Sequence, residues 1–173
     1  MKGVIADCLK KLVTSKFGKE KWEASLEAAG MPANSIFLAA QDVPDPDFFK
    51  LVGSICETLG ITMEQAAEAF GYYWVNEYAP KIYKVYFNKE TAKDFLLSVD
   101  YVHATVTKNL PNARPPRFSY EWEGDNTLIM HYKSERNMID FMIGIIKGVG
   151  KYYNENLSII KLGEDKARVV FSK

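Results

Sequence analysis

The sequence predicts an α+β fold, with a helical N-terminal part packed on a C-terminal four-stranded antiparallel sheet that carries one long helix. Three observations predict it. Val4, Ile5, Cys8, Leu9, Leu12 and Val13 recur at helical spacing. Phe118, Tyr120 and Trp122 alternate, as do Leu128, Met130 and Tyr132, on either side of the turn formers Gly124, Asp125 and Asn126. A second pair of strands, over residues 158–162 and 167–171, flanks Gly163, Glu164 and Asp165.

The elements follow in order. Gly18 and Gly30 are natural helix stops. Pro44 and Pro46, among three aspartates, predict a loop over residues 42–47. Leu51, Val52, Ile55 and Leu59 then mark a helix that ends at Gly60. Thr62 followed by Gln65 is a capping-box signature and opens the next helix, which Pro80 breaks or kinks. Asn88 is placed to cap the segment leading into a helix around His103. Residues 109–116, rich in Pro and Asn, form a turn into the strands, and a long helix spans about 137–153. The chain reads as a single domain over 1–173, helical to residue 62 and mixed from residue 63.

Composition narrows the function classes. Lys plus Arg and Asp plus Glu are equal at 22 each, so nothing marks a nucleic-acid or anionic-membrane partner. No apolar run approaches the ~20 residues of a membrane helix, and no signal peptide is evident, so a cytoplasmic location with no membrane contact is expected. Two cysteines, Cys8 and Cys56, make no disulfide framework. No C-x-x-C-H motif is present, so no thioether-attached cofactor is expected.

Two features carry chemistry. His103 lies on an apolar helical stripe with Val99, Val102, Val106 and Leu110. A lone imidazole there suits a metal that needs one protein ligand, such as heme iron. In the run Tyr132, Lys133, Ser134, Glu135, Arg136, alternate residues of an extended segment share a face. Two hydroxyls and a guanidinium would then point the same way and suit a carboxylate or phosphate. On spacing alone each feature has an ordinary reading: a lone core histidine and a polar strand edge. Phe70, Trp74 and Tyr78, four residues apart, form an aromatic stripe that is by itself most simply core.

Taken together these residues resemble the heme nitric oxide/oxygen-binding (H-NOX) family, the sensor domain also found in soluble guanylate cyclase. The resemblance spans nearly the whole chain. It runs from Met1, Lys2 and Gly3 through Ala69 to Val75, then Asp100 and His103, the Arg114, Pro115, Pro116 turn, Tyr132, Ser134 and Arg136, and Gly144. It implies a propionate-bearing heme, heme b, between the two parts. It implies His103 as the proximal iron ligand and Tyr132, Ser134 and Arg136 on the propionates, with Asp45 pairing with Arg136. Ile5 and Pro116 match positions that press on the porphyrin. Leu9, Trp74, Tyr78, Phe141 and Ile145 match the distal ligand pocket. His131 alternates away from Tyr132 and reads as structural.

Phe141 stands where family members that hold oxygen carry a tyrosine. The resemblance therefore implies a sensor of NO, also binding CO and excluding O2, with Trp74 or Tyr78 as the donor if oxygen is bound instead. On NO binding the Fe–His103 link would lengthen or break and strain on the porphyrin would relax. The implied partner of a stand-alone bacterial member is a histidine kinase or a cyclic-di-GMP enzyme; otherwise it is an effector domain in the same receptor. The mapped distal set holds no His, Asp or Glu, so a heme enzyme needing a distal acid–base group is not expected.

Overall fold

A computed structural model describes residues 1–172. The chain forms two compact units. One is Met1–Ala66 with Pro111–Ala113; the other is Ala67–Leu110 with the residues from Arg114 onward. No helix among the described residues is long and apolar enough to cross a membrane.

The first unit holds helices α1 (Gly3–Phe17), α2 (Lys19–Ala28) and α3 (Asp45–Leu59). α1 packs on α2 and α2 on α3, burying Leu9, Leu12, Val13, Trp22, Leu26, Phe48, Leu51 and Val52. The loop expected over 42–47 is shorter than that. α3 already begins at Asp45, with Pro46 in its first turn. The first turn of a helix needs no N–H from proline, and its exposed amides favour the carboxylates of Asp45 and Asp47. The capping box forms: Thr62 Oγ1 accepts from Gln65 N at 3.1 Å, and Gln65 Oε1 accepts from Thr62 N at 2.9 Å. Helix α4 (Met63–Tyr73) follows.

In the second unit the chain continues as a π-helical segment (Trp74–Tyr78), α5 (Ala79–Ile82) and a 3-10 turn (Lys84–Tyr86). Pro80 does not break the helix. The helix widens just before it, so that Ala79 N–H donates to the Trp74 carbonyl five residues back. In an unbroken α-helix the Pro80 ring would meet the carbonyl of Asn76, and the wider turn relieves that clash. Asn76 Nδ2 instead donates to the carbonyls of Tyr72 at 3.0 Å and Gly148 at 3.1 Å.

Helix α6 (Ala92–Thr107) carries His103. Its cap is Thr91, whose hydroxyl accepts from Asp94 N, and not Asn88. A Thr followed three residues later by an acid satisfies the free amides of the first turn, and it directly adjoins the helix. Strands β1 (Arg117–Trp122), β2 (Thr127–Lys133), β3 (Leu157–Lys161) and β4 (Lys166–Phe171) form one antiparallel sheet of order β1-β2-β4-β3. Helix α7 (Ile139–Tyr152) contributes Ile139, Met142, Ile146 and Val149 to a core shared with Leu128, Met130, Ala167 and Val169 of the strands.

Three glycines allow α7 to lie backbone to backbone on the segment that begins at Ala67. A Cβ on Gly144 would stand 2.2 Å from the Ala67 carbonyl oxygen, and one on Gly71 would stand 2.0 Å from the Gly144 carbonyl carbon. On Gly148 it would meet the Gly71 carbonyl oxygen at 2.6 Å. Backbone atoms cannot swing aside as a side chain can. Gly144→Ala should therefore lower the unfolding free energy by about 1–3 kcal/mol, as overpacked cores do. Urea unfolding checks this, and an unchanged midpoint would show that the helices separate without cost.

Candidate heme site

His103 lies on α6 with its ring half-buried, beside Val99, Val102 and Val106. Its Nδ1 sits 3.2 Å from the carbonyl oxygen of Pro116. A carbonyl only accepts, so Nδ1 carries the proton and Nε2 keeps its lone pair. That is the tautomer a metal-binding imidazole needs, and a backbone carbonyl on the other nitrogen is the usual way to fix it. Burial lowers the His103 pKa most; the Pro116 carbonyl and the Asp100 charge partly offset this, and Arg117 adds to the lowering. The ring therefore stays neutral and available as a ligand.

The Pro116 carbonyl is well suited to this task. Pro115 and Pro116 have no N–H, so the segment cannot join a strand ladder as a donor. Its carbonyls turn to side chains instead. Pro116 O takes His103, and Arg114 O accepts from Arg136 Nη1 at 2.6 Å. One short segment thus contacts both the candidate iron ligand and the candidate propionate anchor.

The run from Tyr132 to Arg136 is not one extended face. β2 ends at Lys133 and the chain turns at Glu135 and Arg136. Ser134 Oγ accepts from Arg136 N at 3.2 Å, and Asn137 takes a positive φ of 49°. A serine hydroxyl bonded two residues ahead competes with the strand ladder, which is why alternation stops there. The Tyr132 hydroxyl accepts from Met138 N at 3.2 Å across the base of the turn. Ser134 and Arg136 therefore lie in a turn just beyond the strand that carries Tyr132. Arg114 Nη1 also meets Glu135 Oε2 at 2.8 Å.

The aromatic stripe forms a stacked column. Phe70 and Trp74 have centroids 5.8 Å apart at 23°, and Trp74 and Tyr78 are 5.4 Å apart at 24°. Phe141, buried on α7, packs against Phe70 at 5.4 Å, and Ile145 lies one turn further along, half-buried. Ile5 and Leu9 are successive turns of α1 in the first unit, half-buried and buried respectively. Asp45, at the start of α3 in the same unit, accepts from the Met1 amino group. His131 Nε2 lies 3.4 Å from Glu121 Oε2, on the strand neighbour of Tyr132.

Sequence reasoning missed Arg117 and Phe118. Arg117 Nε and Nη2 grip the two carboxylate oxygens of Asp100 at 2.7 and 2.6 Å, and Asp100 Oδ1 also accepts from Phe118 N at 2.8 Å. These bonds hold the Asp100 carboxyl low, at about 2. The Phe118 ring packs between His103 (5.4 Å) and Tyr132 (5.9 Å). An acid one turn before the histidine and a base directly after Pro116 were the available signal.

The donor set fits a heme. A porphyrin supplies four nitrogens and needs one further imidazole, and its propionates need cations and hydroxyls. A sequence model described as Haem-NO-binding matches residues 2–161.

The chain belongs to the Haem-NO-binding family.

Members of this family bind heme and gas ligands and act as sensor domains, not as enzymes. Curated relatives from Caenorhabditis elegans include the soluble guanylate cyclases gcy-35, 25% identical over 181 residues, and gcy-34, 27% identical over 176. The matches take in 96% and 98% of this chain but 25% and 26% of theirs, so the chain spans about a quarter of their length. Similar solved structures include an oxygen-binding H-NOX domain in its oxygen complex, with a TM-score of 0.87, 23% identity and coverage of 100% of this chain and 96% of that one. A T. tengcongensis H-NOX variant reaches 0.89 at 24% identity, covering 100% and 98%. These likenesses show the shared fold.

The depressed pKa of His103 has a consequence for stability. The folded chain keeps the ring neutral where the unfolded chain protonates it, so below about pH 6.5 the unfolded state binds more protons. Stability should fall as pH drops from 7.5 to 5.5. In the heme-free proteins, urea midpoints should fall less for His103→Gln than for wild type; an equal fall in both would assign the effect to other groups.

Proposed function

We propose that this domain senses NO, and also takes CO, with non-covalently bound heme b held by His103. Heme held there would supply a ferrous iron able to take up a diatomic gas. The tautomer set by Pro116 carries the ligand assignment, because it leaves Nε2 with its lone pair. Tyr132, Ser134 and Arg136 hold the propionates, Pro116 presses on the porphyrin, and Trp74, Tyr78, Phe141 and Ile145 line the distal side.

Selectivity follows from Phe141. Bound oxygen gains partial negative charge and is favoured by a nearby donor, whereas NO and CO need one far less. A phenyl ring against Phe70 supplies none. Release of His103 from the iron would free α6 to move and so carry the signal. Its target is a separate protein, such as a histidine kinase or cyclic-di-GMP enzyme of a bacterial cytoplasm, or an effector domain in the same receptor.

Two measurements test this. His103→Gly should lose heme unless free imidazole is supplied; normal heme uptake with an unchanged ferrous spectrum would refute the ligand assignment.

Phe141→Tyr adds one hydroxyl at nearly constant ring volume. Oxygen affinity of the ferrous protein should rise by about 1–2 kcal/mol, while CO affinity changes less. Titration with both gases reads this out. Stable oxygen binding by the wild type would overturn the exclusion of oxygen and point to Trp74 or Tyr78 as donor.

A further inference from the structure

Helix α6 and strand β1 are stitched together at three successive turns. Tyr120 OH donates to Leu96 O at 2.8 Å. One turn on, Asp100 grips Arg117 and the Phe118 amide. One turn further, His103 Nδ1 meets Pro116 O. The helix positions 96, 100 and 103 thus run against 120, 117–118 and 116, in opposite chain directions.

The last stitch is the weakest by geometry. At 3.2 Å it lies at the long end of N–H···O distances, whereas the two Asp100–Arg117 bonds are 2.7 and 2.6 Å. A lengthening of a few tenths of an ångström would carry the His103 contact beyond ordinary hydrogen-bond distance. Asp100 stands beside it on both sides of the contact. Arg117 is the next residue after Pro116, so gripping its guanidinium fixes the carbonyl that His103 uses. Gripping the Phe118 amide fixes the ring that packs on the imidazole and on Tyr132. Arg117 is well exposed, and an exposed ion pair adds little stability. Its bidentate geometry does restrict orientation, which a stability role alone would not require.

We infer that Asp100 and Arg117 are positioning residues that set the orientation and ligand strength of His103 by fixing the Pro116 carbonyl and the Phe118 ring around it. The inference rests on His103 holding the heme iron. Loosening the pair lets Pro116 O drift from Nδ1, which makes the imidazole a poorer donor to iron.

Asp100→Asn and Arg117→Ala are compared with Tyr120→Phe, which cuts the stitch at the far end. Resonance Raman of the ferrous protein reads the Fe–His stretch, and transfer of heme to excess apomyoglobin reads its release. Both variants at the pair should lower the stretching frequency and speed heme release by about tenfold, the low end for groups that support a metal ligand. Tyr120→Phe should lower thermal stability and leave both readouts at wild-type values. If Asp100→Asn does not fold, Arg117→Ala decides, because it leaves the Asp100 bond to Phe118 N in place. An unchanged stretch and unchanged release rate in the pair variants overturn the inference, as does an equal change in Tyr120→Phe. A wild type that takes up no heme, or a His103→Gly protein with a normal heme spectrum, overturns the ligand assignment instead.

Discussion

The hydrogen bond from His103 Nδ1 to the Pro116 carbonyl is the constraint on which the rest of the second unit depends. An imidazole has two nitrogens and one proton when neutral, and its chemistry depends on which nitrogen holds that proton. A carbonyl neighbour settles the matter because it can only accept. Consecutive prolines make the carbonyl available: they remove two N–H groups from the segment and restrict the residues before them to extended conformations. Burial then keeps the ring neutral.

That bond joins two elements of different character. α6 contributes its first half to the core through Ala92, Phe95 and Leu96, while the half bearing His103 is only partly buried. A helix end with few buried contacts moves at lower cost than one packed in the core. β1 is one of the two edge strands of the sheet, and Asp100 occupies one of its edge amides. The same carboxylate therefore protects the edge and ties it to the helix.

A second constraint is the close approach of α7 to the segment from Ala67 to Tyr72. Only glycine at 71, 144 and 148 permits it. Next to that contact the helix widens over Trp74–Tyr78, and Asn76 reaches across to Gly148 O. The wide turn accommodates Pro80 and sets Trp74 and Tyr78 in a stacked column with Phe70. Widened turns of this kind are common where a helix serves a site, because they re-aim side chains without ending the helix.

The sequence by itself determined the class of fold, the strand pairs, the capping box at Thr62 and the helical stripe around His103, because these depend on local periodicity and local turn chemistry. It also held the motif that resembles the family, since spacing along the chain survives at low identity. Local rules misplaced the start of α3 and the cap of α6, each time because a neighbouring residue met the same backbone need; of the break or kink expected at Pro80, the break is absent because a wider turn absorbs the ring. Only the tertiary structure decided which nitrogen of His103 is protonated, that Arg136 turns to Arg114 O, and that Arg117 and Phe118 belong beside the histidine. Those outcomes depend on atoms distant in sequence: hydrogen-bond partners 13, 22 and 17–18 residues apart leave no periodic trace in the chain.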